Sequence, residues 1–173
     1  MIEQDLKAAI RDIPDFPKPG ILFKDITPIL KDPELFQRTL SLFAERHRDN
    51  NLSAIAAIES RGFIFGAPVA ALLGIPFIPV RKKGKLPYQT IEATYDLEYG
   101  SATLEIHRDA LTSGDRVVII DDLLATGGTA QATADLIQQL GATVVEIDFI
   151  IELSFLHGRQ KLAPYPVFAP VVY

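Results

Sequence analysis

The stretch from Arg116 to Thr129, Arg-Val-Val-Ile-Ile-Asp-Asp-Leu-Leu-Ala-Thr-Gly-Gly-Thr, constrains this chain more than any other part of it. Val117 to Ile120 are four β-branched apolar residues in a row. An unbroken run of this kind suits a parallel strand covered on both faces, whereas a half-exposed strand would alternate. Asp121 and Asp122 follow at its carboxyl end, where open α/β sheets bind their ligands. Then come Ala125, Thr126, Gly127, Gly128 and Thr129. The glycines allow positive φ and close approach to backbone N–H groups, and the hydroxyls add donors. A helix predicted from about Thr129 would aim its N-terminal amides at the same point. Strand, carboxylates, anion cradle and helix thus follow one another without interruption.

The anion best suited to such a cradle is phosphate. No Lys follows the second glycine, so a P-loop is excluded, and the G-x-G-x-x-G spacing of dinucleotide folds is missing. Two carboxylates just before the cradle are placed to accept hydrogen bonds from a sugar diol, which together with a phosphate describes a ribose 5-phosphate. The run Asp-Asp-Leu-Leu-Ala-Thr-Gly-Gly-Thr over 121–129 resembles the phosphoribosyl-pyrophosphate (PRPP) motif of the type I phosphoribosyltransferases, and within them most resembles that of the adenine phosphoribosyltransferases. The resemblance implies conversion of adenine and PRPP to AMP and pyrophosphate. It gives Asp121 and Asp122 the ribose hydroxyls and a catalytic role, Ala125 to Thr129 the 5′-phosphate, and Mg²⁺ a place on PRPP and water with no protein ligand.

Four further segments extend the resemblance. Ile13-Pro-Asp-Phe-Pro-Lys-Pro-Gly20 holds three prolines and a glycine, which forbid a helix and predict an extended or turning connection. With Ile21 to Ile26 it is similar to the hood of the family, which implies that Phe23 stacks on adenine and that Leu22 and Lys24 flank it. Ser60-Arg-Gly62 follows an apolar strand over 54–59 and precedes a helix over 65–73 closed by Gly74; it matches the family's pyrophosphate loop, with Arg61 as the contact. A strand over 76–80 ends in Arg81-Lys-Lys-Gly-Lys85, and the resemblance assigns Arg81 and Lys85 to pyrophosphate, Lys82 and Lys83 less clearly. Tyr88 to Gly100 has no sustained period and reads as a mobile hairpin or lid. Its Leu-Glu-Tyr-Gly run looks like the family's catalytic loop, making Glu98 the candidate acid/base and Tyr99 a lid residue. Leu153, at the end of a strand over 144–153, is either a core leucine or the apolar wall of the purine pocket that the family implies.

The rest of the chain limits the function classes. The 173 residues suit one domain over 1–173, with a hood at about 13–30 and a lid at about 86–101. The chain has no cysteine, hence neither disulfides nor thiolate metal sites, and its net charge of −5 argues against a nucleic-acid footprint. No apolar run approaches the roughly 20 residues of a membrane span. The amino terminus lacks a signal-peptide pattern, which points to the cytoplasm. Ile2 to Asp12 reads as a short amphipathic helix and Asp32-Pro-Glu as a helix start running to about Arg48. His47 on that helix has no metal-ligand neighbours in sequence and reads as a surface or boundary residue. Gly158 to Leu162 and the proline-rich tail read as peripheral packing. Family members are commonly homodimers, and Phe63-Ile-Phe65 is a candidate interface segment. The fold expected is α/β, a mostly parallel central sheet flanked by helices, as in the type I phosphoribosyltransferases. Two alternative functions are a phosphoribosyltransferase for another base and a PRPP-sensing regulator without catalysis.

Overall fold

The computed structural model of the chain describes residues 1–96 and 100–173. In chain order the elements are α1 (Ile2–Ala9), β1 (Arg11–Pro14), β2 (Leu22–Asp25), α2 (Thr27–Lys31), α3 (Pro33–His47), β3 (Ala54–Ile58), α4 (Arg61–Leu73), β4 (Phe77–Lys82), β5 (Thr90–Asp96), β6 (Ser101–His107), β7 (Arg116–Leu124), α5 (Gly128–Gln139), β8 (Thr143–Glu152), a single 3₁₀ turn (Ser154–Leu156), α6 (Gly158–Lys161), β9 (Val167–Phe168) and β10 (Val171–Val172). The main sheet has the order β10-β8-β7-β3-β4-β6-β5, with β9 also on β8. β3, β4, β7 and β8 run parallel to their neighbours in this row, while β5 and β6 form an antiparallel hairpin attached to β4.

The four-residue apolar run forms the strand at the middle of this sheet, and its side chains alternate between two cores. Val117 and Ile119 pack with α5, along with Ala54, Ala56, Ala134 and Leu136. Val118 and Ile120 pack on the other face with Ile55, Phe43, Phe65 and Val69, beneath α1 to α4. All four residues of the run are fully buried, as a strand sandwiched between helical layers must be. Each fully buried phenylalanine or isoleucine in these layers contributes about 1.5–3 kcal/mol of transfer free energy, so the sheet is held from both sides.

Local signals set the helix ends. Asp32 accepts hydrogen bonds from the amides of Glu34 and Leu35 at 3.0 and 3.1 Å, with Pro33 in the first helical position. Gly74 closes α4 in the left-handed conformation at φ +68°. α4 begins at Arg61 rather than at Phe65, so the Ser-Arg-Gly segment is the first turn of the helix and not a loop ahead of it. Gly62 permits this: a Cβ there would lie 2.9 Å from the carbonyl oxygen of Ile120 and 3.0 Å from the carboxylate of Asp121. Within the same helix Phe65 is fully buried in its own core and Phe63 packs edge-on against Phe77, so Phe65 cannot serve an interface between copies.

The hairpin expected from Tyr88 is built on β5, paired along its whole length with β6. Two expectations are corrected. The first helix stops at Ala9, and Arg11–Pro14 pairs antiparallel with Leu22–Asp25 as a small two-stranded ribbon. His47 is neither exposed nor at a boundary. It is buried between α3 and β8, with Nε2 at 2.6 Å from Asp148 Oδ2, 3.7 Å from Glu146, and Nδ1 at 3.1 Å from the Asn50 amide. Its partners stand about a hundred positions away in sequence, and only the packing of α3 on β8 brings them together. Among the described residues no helix is long and apolar enough to cross a membrane.

Candidate active site

The site opens where β7 outruns its neighbour. Pairing between β3 and β7 stops at Ala57 and Ile120, while β8 continues alongside β7 as far as Leu124. From Asp121 onward, therefore, one edge of β7 is unpaired. A cleft of about 380 Å³ occupies that edge, walled by Glu59, Ser60, Arg61, Lys82, Asp121 and Asp122 and reached also by Tyr95 and Thr129. The carboxylates lie within the last turn of the pleat, not after it, so their positions are fixed by sheet hydrogen bonds.

Beyond Asp121 a hollow of about 70 Å³ is lined by Ala125, Thr126, Gly127, Gly128 and Thr129. Gly127 has φ +83°, a conformation that strains any residue with a side chain. A Cβ at Gly127 would also lie 2.8 Å from the carbonyl oxygen of Gly158. α5 begins at the next residue with no side-chain cap and no acidic residue in its first turn. Its N-terminal amides and positive dipole end are thus available to an anion. Thr129 Oγ1 donates to the hydroxyl of Tyr95, 3.2 Å away, which ties the end of β5 to this loop.

Electrostatics divide the two aspartates. Burial and the charge of Asp122 push the Asp121 carboxyl well above the ordinary carboxylate range. Asp122 is also raised by burial, but Arg61 opposes the shift, its Nε standing 2.6 Å from Asp122 Oδ2. Two adjacent carboxyls in low-dielectric surroundings resist simultaneous ionisation. Ligand hydroxyls donating to them, or positive charge arriving nearby, would favour the ionised pair. Glu59 lies on the other wall. Burial works to raise its pKa, yet hydrogen bonds from the Lys82 amide at 2.7 Å and from Arg81 hold it below the usual range.

The basic segment after β4 is braced from beneath. Glu105, almost completely buried, accepts the amides of Lys85 and Leu86 at 2.9 and 2.7 Å. Of the cations assigned from sequence, Arg61 walls the cleft, Arg81 is engaged with Glu59, and Lys85 is exposed beyond the end of β4. Lys82 is the lysine that walls the cleft. Sequence alone could have separated it from Lys83 and Lys85 only through the strand alternation of β4, which needs the strand's end point.

A second cavity, about 340 Å³, adjoins Arg61 and is lined by Phe16, Phe23, Lys24, Ile26, Leu30 and Ile64 among others. Phe23 meets Phe16 edge-on with ring centres 5.2 Å apart, and the Arg61 guanidinium lies 5.6 Å from the Phe23 ring centre. Arg61 consequently stands between the polar cleft and the apolar cavity. Phe23 and Lys24 border this cavity; Leu22 is 49% exposed on β2, and Leu153 is half-buried, packed against the edge of the core beneath α1 to α4. Glu98 and Tyr99 lie outside the described residues. Sequence reasoning missed Tyr95, Gly158 and Lys161, all of which reach the Ala125 to Thr129 loop.

Residues 25–162 match the phosphoribosyl transferase domain. The chain is 59% identical to the adenine phosphoribosyltransferase of Carboxydothermus hydrogenoformans over 98% of its own length and 99% of that protein. It belongs to the adenine phosphoribosyltransferase family. Solved structures of family members superpose on it throughout. The adenine phosphoribosyltransferase of Thermoanaerobacter pseudethanolicus is 51% identical with a TM-score of 0.95, covering 99% of each chain. That of Saccharomyces cerevisiae, solved with adenine and an imino-altritol bisphosphate, is 44% identical with a TM-score of 0.93, covering 98% of each. The fold is accordingly that of a type I phosphoribosyltransferase, and the chain is an adenine phosphoribosyltransferase enzyme.

Proposed function

We propose that this chain transfers the phosphoribosyl group of PRPP to adenine, giving AMP and pyrophosphate in purine salvage. The observation that carries this reading is the continuity of the site. An uncapped, glycine-lined hollow, two carboxylates, an arginine and an aromatic cavity follow one another along the carboxyl edge of the sheet. A 5′-phosphate, a ribose diol, a diphosphate and a purine occur in that order in the two substrates.

Each part then has a role in proportion to its chemistry. The loop Ala125 to Thr129 holds the 5′-phosphate and fixes the sugar's position. Asp121 and Asp122 accept the ribose hydroxyls and, once ionised, stabilise the positive charge that builds on the ring as the bond from C1 to pyrophosphate breaks. Arg61 and Lys82, supported by Arg81 and Lys85 on the same basic segment, attract the departing pyrophosphate. Phe23 offers a flat face to adenine, beside Lys24. Glu98 and Tyr99 remain the proposed acid/base and lid residues. Closure of the β5–β6 hairpin would keep water from the reacting carbon, and the Tyr95–Thr129 hydrogen bond supports a closed position.

The cleft fits Mg²⁺ entering on PRPP, because it presents carboxylate oxygens while Asp122 is already committed to Arg61 at 2.6 Å. Carried in on PRPP and water, the ion would offset the charge of the leaving group. We also propose a cytoplasmic homodimer, which light scattering would test. The test of function is pyrophosphate release from PRPP and Mg²⁺ with each base supplied in turn. Release with adenine alone is expected. Release with another base only would refute the role of Phe23, and measurable PRPP binding without release would refute catalysis.

A further inference from the structure

We infer that Lys161, at the end of α6, is a binding residue for the 5′-phosphate of the substrate. The inference rests on the reading of the Ala125 to Thr129 loop as the phosphate site and adds a residue from a distant part of the chain. α6 is the outer wall of that loop. A Cβ on Gly158 would run into the carbonyl of Ala125 and the side chain of Leu124, and a Cβ on Gly127 would meet the Gly158 carbonyl and, at 3.4 Å, Lys161 Cβ. Bare backbone at both glycines therefore lets α6 lie flat on the loop. This puts Lys161 Nζ 3.8 Å from where a side chain on Gly128 would begin, with the Tyr95 ring 3.2 Å and the Asp96 carbonyl 3.7 Å from the same point.

The charge stands beside a helix end that favours an anion. Gly128 is the first residue of α5, whose first turn carries no acidic residue and whose N-terminus has no side-chain cap. A cation beside the positive end of a helix is repelled by it. Among the described residues no carboxylate pairs with Lys161, which makes neither an ion pair nor a hydrogen bond there. Uncapped amides and an ammonium with no carboxylate partner among the described residues converge beside Gly128. A phosphate dianion satisfies all of them together. Lys161 is largely exposed, so its ammonium can reach the ligand without cost to the core.

Since the 5′-phosphate is remote from the bond that breaks, Lys161 should bind ground and transition states alike, raising affinity without raising turnover. The experiment compares wild type with Lys161→Met and Lys161→Arg by calorimetric titration with ribose 5-phosphate, AMP, adenine and pyrophosphate, alongside steady-state kinetics in PRPP. Lys161→Met should weaken ribose 5-phosphate and AMP and raise KM for PRPP roughly tenfold, the scale of one charge-assisted hydrogen bond at an exposed site. Its kcat and its affinity for adenine should stay at wild-type values, and Lys161→Arg should recover most of the loss. Equal ribose 5-phosphate affinity in wild type and Lys161→Met would overturn the inference while leaving the phosphate loop intact. Uniform loss of all four ligands would overturn it too, as damage to the fold. Failure of wild type itself to bind ribose 5-phosphate would instead refute the reading of the loop.

Discussion

Replacing Asp148 by Asn should reverse part of the protein's pH dependence of stability. Asp148 is completely buried on β8, and burial pushes its carboxyl up to about 6, against an ordinary value of 3.8, even though the hydrogen bond and charge of His47 work in the opposite direction. The groups facing it are His47, Glu146 and Arg46, the last held to Glu146 through two hydrogen bonds of 2.7 and 2.8 Å. A folded-state value above the unfolded one means that the native protein holds this proton more tightly. Between pH 3.8 and about 6 the native state then binds more protons than the unfolded chain, and the stability contributed by this group is lost as pH rises through that window. A displacement of this size corresponds to about 3 kcal/mol, at about 1.4 kcal/mol per tenfold. The Asn variant keeps a hydrogen-bonding partner for His47 but has no proton to lose. Urea denaturation at pH 4, 5, 6 and 7 should therefore show wild type falling relative to Asp148→Asn by about 2 kcal/mol across the series, the rest of the shift lying below pH 4. A constant difference would mean that Asp148 is ionised throughout. A difference of opposite sign would mean that its pairing with His47 outweighs desolvation, and either result refutes the reasoning.

Three other substitutions probe the site. Asp122→Asn should lower kcat about a hundredfold, the scale of one lost electrostatic group in a transition state, with the affinity for adenine little changed; equal steady-state activity would remove Asp122 from the mechanism. Gly158→Ala should displace α6 from the phosphate loop, because its methyl group would overlap the Ala125 carbonyl, and raise KM for PRPP by more than it changes KM for adenine; an unaltered ratio of the two would show that the loop does not depend on α6. Phe23→Ala should raise KM for adenine by about three- to tenfold, as expected for one aromatic contact; an unchanged KM for adenine would remove Phe23 from the base pocket.

The parallel strands were legible because full burial leaves a mark that no other element leaves, an unbroken apolar run ending in glycine and carboxylate. Val117 to Ile120 and Ala54 to Ile58 show it, and the helices on either side of Ala54 to Ile58 carry their own caps at Asp32 and Gly74. β1 and β2 were not legible. Their residues alternate poorly, prolines dominate the connection, and their pairing depends on a turn whose conformation includes Asp15 at φ +56° and Gly20 at φ +86°. The contacts to the phosphate loop from Tyr95 and Gly158 were hidden for a different reason. Each depends on one element lying against another far away in sequence, and a glycine whose value lies in having nothing attached leaves no periodic trace. His47 belongs to the same class, since a lone histidine on a helix gives no sign of the two carboxylates that β8 presents to it.

The two-sided burial of β7 also protects the chemistry against error in assembly. Successive residues on this strand belong to different compartments, so a slip of one position against β3 or β8 would turn every side chain to the opposite layer. Asp122 would then leave Arg61 and Asp121 would leave the phosphate hollow, exchanging the two neighbouring carboxyls at a stroke. The same slip would drive Val117 and Ile119 into the layer shaped for Val118 and Ile120. Any misregistered chain would therefore be badly packed as well as stripped of the Asp122–Arg61 pair, so packing and site geometry are secured by the same register.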